Sequence, residues 1–185
     1  MIEIAHQIIT SLKQGEVIAY PTEAVYGLGC DPDNQAAVAK ILAIKQRPMA
    51  KGLILIAASY QQLSSYINDS SLTEQQQQNI ANHWPGPYTY VFPAQSNIPK
   101  WLTGDFDTIA VRVSSHPVVQ ALCLAYGKPI VSTSANLSGQ PAIIDKQQLA
   151  TELGPLVSHI VPGEVNPNLQ PSTIIDAASG RIYRS

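Results

Sequence analysis

Apolar positions along this chain change their period repeatedly, and each change marks the border of an element. Ile4, Ile8 and Leu12 recur at helical spacing ahead of Gly15, which predicts an amphipathic N-terminal helix. "VIAYPT" from Val17 predicts a strand. The "GLGCDP" that follows reads as a glycine loop, its glycines serving unusual backbone dihedrals or the close approach of a ligand. Asn34 caps a predicted helix that turns Val38, Ile41 and Leu42 inward and has to stop before Pro48, leaving Lys45 and Arg47 at its exit. "GLILIAA", Gly52 to Ala58, is continuously apolar, the pattern of a strand covered on both faces, and Lys51 stands at its entrance.

Further on, Thr73 caps a predicted helix through "TEQQQQNIANHW", the "WPGP" after it breaks the pattern, and "YTYVFPA" and "TIAVRV" predict strands. "HPVVQALCLAYG" predicts a helix with Pro117 in its first turn, followed by a strand at "PIVST". A last helix around Asp145 to Leu153 precedes short strands near "SHIVP", "STIID" and "RIYR". Strands and helices interleave without a Gly/Ser linker or a repeat, so the class is α/β with a mixed sheet, and the hairpin-like spacing near the end implies antiparallel pairs. At 185 residues the expectation is one domain over 1–185.

Composition narrows the chemistry. Hydrophobic residues make up 45% and charged residues 13%, a globular balance, and no apolar run reaches the length of a membrane span. The start "MIEIAHQIITSLKQGE" carries an acid and lacks the basic, apolar and small-residue parts of a signal peptide, so a cytoplasmic location is expected. Two distant cysteines, Cys30 and Cys123, argue against a disulfide framework, and four scattered histidines lack metal-ligand spacing. A net charge of −2 does not suit a nucleic-acid binder that works by bulk attraction. Yet Lys45, Arg47 and Lys51 place three of the 11 basic residues in "KQRPMAK" with no acid among them, either a solvated face or an anion site.

Other polar islands point the same way. "GLGCDP" begins like a dinucleotide fingerprint but has Pro32 where the third glycine belongs, and no P-loop is present. "STSANLSG" packs hydroxyls, an amide and a glycine at a strand's end, where ligands of open α/β sheets gather, although a Ser/Asn turn alone would account for it. It contains no nucleophile elbow. Arg112 lies between Val111 and Val113 on the opposite face of an apolar strand and needs an internal carboxylate or a bound anion. In "RIYR" simple alternation puts Ile182 and Arg184 on one face.

Taken in order, "YPTEAVYGLGCD", "KQRPMAKGLIL", "HWPGP", "AVRV", "STSANLSG" and "PSTIID" resemble the YrdC/TsaC family of threonylcarbamoyl-AMP synthases from Val17 to Arg184, in the short bacterial form. The resemblance implies a YrdC-like twisted sheet, mixed parallel and antiparallel, with flanking helices and a concave electropositive cleft. It implies the conversion of L-threonine, bicarbonate and ATP into threonylcarbamoyl-AMP and pyrophosphate, for partner proteins that modify the adenosine beside the anticodon of tRNA to t6A. It assigns Lys45, Arg47, Ser134 and Asn136 to catalysis. ATP would be held by these four together with Lys51, Thr108 and Arg184, and threonine by Thr22, Arg112, Ser132 and Ser172. Magnesium would ride on the nucleotide, with no dedicated protein ligands.

Two other readings use the same cleft. One is a module binding double-stranded RNA or tRNA through phosphates, for which 11 basic against 13 acidic residues offer weak bulk attraction. The other is hydrolysis of a related acyl phosphate or carbamoyl adenylate.

Overall fold

Local sequence decides where the helices start. In this computed structural model, which describes residues 2–185, Asn34 accepts from the Ala37 amide to open α2 (Gln35–Lys45). Thr73 forms a reciprocal capping box with Gln76 at α4 (Glu74–His83). Asp145 caps α7 (Lys146–Glu152), and Pro117 opens α6 (Pro117–Tyr126), which ends at Gly127 with φ +87°. The N-terminal helix α1 covers His6–Lys13, so Ile4 packs against its cluster from outside the helix. Two four-residue helices, α3 (Tyr60–Leu63) and α5 (Lys100–Thr103), complete the set among the described residues, together with 3₁₀ turns at Met49–Lys51 and Gly154–Leu156.

The strands are β1 (Ile18–Pro21), β2 (Tyr26–Gly29), β3 (Ile54–Ala57), β4 (Tyr88–Pro93), β5 (Thr108–Val113), β6 (Ile130–Ser134), β7 (His159–Ile160), β8 (Thr173–Asp176) and β9 (Ile182–Arg184). They join in one sheet in the order β7-β1-β2-β6-β3-β5-β4-β8-β9. The pairs β7/β1, β3/β5 and β4/β8 are parallel and the others antiparallel, the expected mixed sheet.

Strand alternation sorts the sheet's two faces. Leu55, Ala57, Tyr90, Phe92, Ile109, Val111, Val113 and Val131 turn to one face and form the main core with Val38 and Ile41 of α2, Leu102 of α5 and Leu149 of α7. Each fully buried aliphatic side chain of this kind contributes about 1.5–3 kcal/mol relative to exposure. On the other face α1 and α6 cover one end only, where Ile8, Leu12, Val119 and Leu122 meet Ile18, Tyr20, Ile56 and Ile130. The rest of that face is uncovered. The β3 strand, expected to be covered on both sides, is therefore core on one side and half open on the other.

Two further expectations fail for physical reasons. The supposed glycine loop is strand β2, and neither Gly27 nor Gly29 has a positive φ. Tyr20 of β1 lies across it. A Cβ on Gly29 would come within 2.8 Å of the Tyr20 ring and 2.9 Å of the Val131 carbonyl, so the close approach is internal. At the chain's end β9 carries a bulge: Arg184 pairs with Ile174 and Ile182 with Ile175, leaving Tyr183 as the extra residue. The bulge breaks the alternation. Arg184 thereby takes the uncovered face with Ile174, while Ile182 lies opposite Ile175, which packs on the main core.

Candidate active site

The uncovered half of the sheet is the floor of a cleft of about 730 Å³. Its floor is every second residue of the strands: Ile54, Thr89, Val91, Thr108, Ala110, Arg112, Ser132, Ser134 and Ile174. The charged residues lining it are Glu23, Arg47, Lys51, Arg112 and Arg184, four basic and one acidic.

The β1–β2 turn forms one wall. Thr22 is buried and donates its hydroxyl to the Val25 carbonyl at 2.6 Å, while its amide donates to the same oxygen at 3.1 Å. This closes the turn and aims Glu23 across the floor. Glu23 Oε2 lies 2.6 Å from an Arg112 guanidinium nitrogen, and Glu23 Oε1 accepts from the Ser114 hydroxyl at 2.8 Å and the Ser115 amide at 3.2 Å. Burial alone would raise the Glu23 carboxyl, but Arg112 and the Ser114 hydroxyl outweigh it and hold the pKa below the usual value. Arg112 also donates Nε to the Gly86 carbonyl at 3.0 Å. The partner that Arg112 requires is thus an internal carboxylate.

Ser134 and Asn136 form the opposite wall, and Lys45 stands behind it. The Lys45 side chain is only 3% exposed and does not line the cleft. Its ammonium donates to the Ser134 carbonyl at 2.5 Å, the Asn136 carbonyl at 3.0 Å and Asn136 Oδ1 at 2.7 Å, so all three of its protons are spent on one turn. The Ser134 hydroxyl donates to the same Oδ1 at 2.6 Å. Burial, with Arg47 nearby, lowers the Lys45 pKa to about 8.

Arg47 does reach the cleft. It donates Nη2 to the Gly52 carbonyl at 3.1 Å, while its buried Nε has no protein acceptor. The Lys51 turn is clipped to the segment after α5, with Leu53 N donating to Leu102 O at 2.9 Å and Asp105 N to Ala50 O at 3.1 Å. Gly52 at φ +60° and Gly104 at φ +65° make this possible: a Cβ on Gly104 would sit 2.3 Å from Ala50 O. At the far side Arg184 donates to the Ser172 carbonyl, from Nη2 at 2.7 Å and Nε at 3.2 Å, and Ser172 meets the Thr89 hydroxyl at 2.8 Å.

Of the eleven side chains that the sequence motifs nominate, ten line this cleft: Thr22, Arg47, Lys51, Thr108, Arg112, Ser132, Ser134, Asn136, Ser172 and Arg184. Lys45 is the exception. Three participants escape the sequence reading. Glu23 adjoins the chosen Thr22, and the signal for it was the unsatisfied demand of Arg112. Tyr20 donates its hydroxyl to Ser132 at 2.7 Å, and Tyr183 lines the mouth. Among the described residues no group of three or more His, Cys, Asp and Glu could hold a metal ion.

Similarity to known proteins extends over this whole arrangement. The Sua5/YciO/YrdC family model, described as "Telomere recombination", matches residues 10–185. The threonylcarbamoyl-AMP synthase of Vibrio cholerae serotype O1 is 53% identical over 184 residues, covering 100% of this chain and 98% of that protein. Among solved structures, Sua5 of P. abyssi complexed with L-threonine is 32% identical with a TM-score of 0.84, and the match covers 92% of this chain and 49% of that longer one. E. coli YciO is 29% identical with a TM-score of 0.84, over 97% of this chain and 87% of the other. Cleft, motifs and full-length likeness agree, and the chain belongs to the Sua5/YciO/YrdC family.

Proposed function

We propose that this chain is an L-threonylcarbamoyladenylate synthase acting as one domain over residues 1–185. The threonine nitrogen attacks the carbon of bicarbonate, losing water and forming a carbamate. A carbamate oxygen then attacks the α-phosphorus of ATP, the bond from that phosphorus to the bridging oxygen breaks, and its electron pair leaves with pyrophosphate. Such a transfer is accelerated by positioning the attacking oxygen and neutralising phosphate charge rather than by a protein nucleophile.

The observation carrying this reading is that ten of the eleven side chains chosen from the motifs line one cleft. Arg47, Lys51 and Arg184 meet the phosphates, and because Glu23 is taken up by Arg112 the remaining lining charge is positive. Ser134, Asn136 and Thr108 orient the nucleotide. Thr22, Arg112, Ser132 and Ser172 surround the threonine. Lys45 fixes the Ser134–Asn136 turn from behind. Magnesium carried by the nucleotide would be held by its phosphates, whose charge it would help neutralise, since Glu23, the carboxylate lining the cleft, already has partners. The product passes in the cytoplasm to partner proteins of t6A synthesis, which carry its threonylcarbamoyl group to tRNA.

Pyrophosphate release tests the proposal: it should require both threonine and bicarbonate. Serine should replace threonine poorly, because a pocket fitted to one methyl group discriminates by about 1–3 kcal/mol. Equal release with no amino acid present would overturn it.

A further inference from the structure

A nucleotide needs a surface for its base as well as charge for its phosphates, and the aromatic residues lining the cleft are Phe106 and Tyr183. Phe106 is 55% exposed and, among the described residues, makes no aromatic or cation–π contact. Tyr183 is equally open, at 53%, but its ring is fixed. Its hydroxyl donates to Asp176 Oδ2 at 3.0 Å. Asp176 is itself held, its Oδ1 accepting from the Ala178 amide, the Ser179 amide and the Ser179 hydroxyl at 2.8–3.1 Å. The Arg181 guanidinium lies over the Tyr183 ring, 5.5 Å from its centroid, and Arg181 does not itself line the cleft.

The bulge is what brings this ring to the mouth. In regular alternation Tyr183 would face away from Arg184, but as the unpaired residue of the bulge it lines the cleft beside it. Arg184 forms no ion pair with a carboxylate among the described residues. A cation without a carboxylate partner, next to a tethered and half-exposed aromatic ring, matches the two ends of a nucleotide, phosphate and base.

We propose that Tyr183 is the platform on which the adenine of ATP stacks, a specificity-determining residue of the synthase reaction. The inference rests on the synthase reading above. The bulge and the Asp176 tether set the ring before the nucleotide arrives, so little rotamer freedom is lost on binding.

The test is calorimetric titration of ATP, and separately of inorganic tripolyphosphate, into the full chain and three variants. Tyr183→Ala should weaken ATP binding about fivefold to a hundredfold, the range for removing one stacking ring, and leave tripolyphosphate binding unchanged. Tyr183→Leu, which keeps apolar bulk without a π-face, should resemble the alanine variant, and Tyr183→Phe should retain most of the affinity. Unchanged ATP affinity in Tyr183→Ala overturns the platform and leaves the synthase reading standing. An equal loss for both ligands also overturns it, since the ring would then act only through Arg184. Failure of the unaltered protein to bind ATP at all would remove the synthase reading and the platform with it.

Discussion

Replacing Lys45 by methionine should damage folding and turnover together, whereas replacing Arg47 by alanine should damage turnover alone. The buried ammonium of Lys45 serves the Ser134 carbonyl, the Asn136 carbonyl and Asn136 Oδ1, and of these Oδ1 also keeps the Ser134 hydroxyl. Two carbonyls then lose a charged donor, at about 1–3 kcal/mol each when a buried group goes unpaired. Methionine returns part of this by removing a charge from a dry site, leaving a net loss of about 2 kcal/mol. For a chain of this length that lowers Tm by about 4–8 °C. Arg47 is half-buried and its Nε lacks a protein acceptor, so Arg47→Ala should leave Tm near its original value. Its kcat/KM should fall at least about tenfold, equivalent to about 1.4 kcal/mol of transition-state stabilisation. Thermal unfolding and pyrophosphate release, run on both variants, are the assay. Titration adds a signature: with the Lys45 pKa lowered to about 8 from 10.5, the unfolded chain binds more protons between those values. Lys45 therefore makes folding more favourable as pH rises from about 8 toward 10.5, a component that Lys45→Met should lack. An unchanged Tm with lost activity would refute the placement of Lys45 behind the wall and return it to direct contact with the nucleotide.

Glu23→Gln should leave Arg112 charged without its counter-ion, weakening threonine use and lowering stability at neutral pH. Because the folded pKa of Glu23 lies below its unfolded value, its contribution is present above the unfolded pKa and is lost as pH falls through the folded one. Unfolding curves of the two proteins should thus converge in acid, and a pH-independent gap would count against the pairing. Truncation after Tyr183 removes the Arg184 guanidinium from Ser172 and puts a carboxylate beside the cleft. The shortened chain should bind ATP at least several-fold more weakly, with threonine affinity little changed because the Thr89 hydroxyl still holds Ser172. Titration of both ligands decides, and unaltered ATP affinity would make Arg184 a frayed end.

The sequence made legible whatever is decided within a few residues. Asn34, Thr73 and Asp145 announce helix starts because a cap acts on an amide three residues away. The helices α3 and α5 are four residues each and hold their places by tertiary contact, so no period reveals them. Gly27 and Gly29 read as a loop because the reason for them, the Tyr20 ring, lies on the neighbouring strand. The β9 bulge depends on its pairing with β8, so alternation alone put Ile182 and Arg184 on one face, whereas the bulge separates them and leaves Arg184 on the cleft side. The candidate site was legible as a set of motifs, but its internal division was not. Lys45 and Arg47 look alike two residues apart in sequence; only the helix end that buries Lys45 behind the wall and lets Arg47 reach the cleft separates them.

The division of the sheet into a packed face and an open one has a consequence for how the protein tolerates change. Along β5, Ile109, Val111 and Val113 belong to the core, and Thr108, Ala110 and Arg112 between them belong to the cleft. Neighbouring codons therefore answer to different demands, one to volume and dryness, the next to shape and charge around small molecules. A saturation library scored once for abundance and once for turnover would give two interleaved combs along β3, β4 and β5, each with its teeth in the other's gaps. Apart from the buried Arg112–Glu23 pair, whose loss also costs stability, the lining of the cleft can then be rewritten strand by strand with the scaffold beneath it left intact.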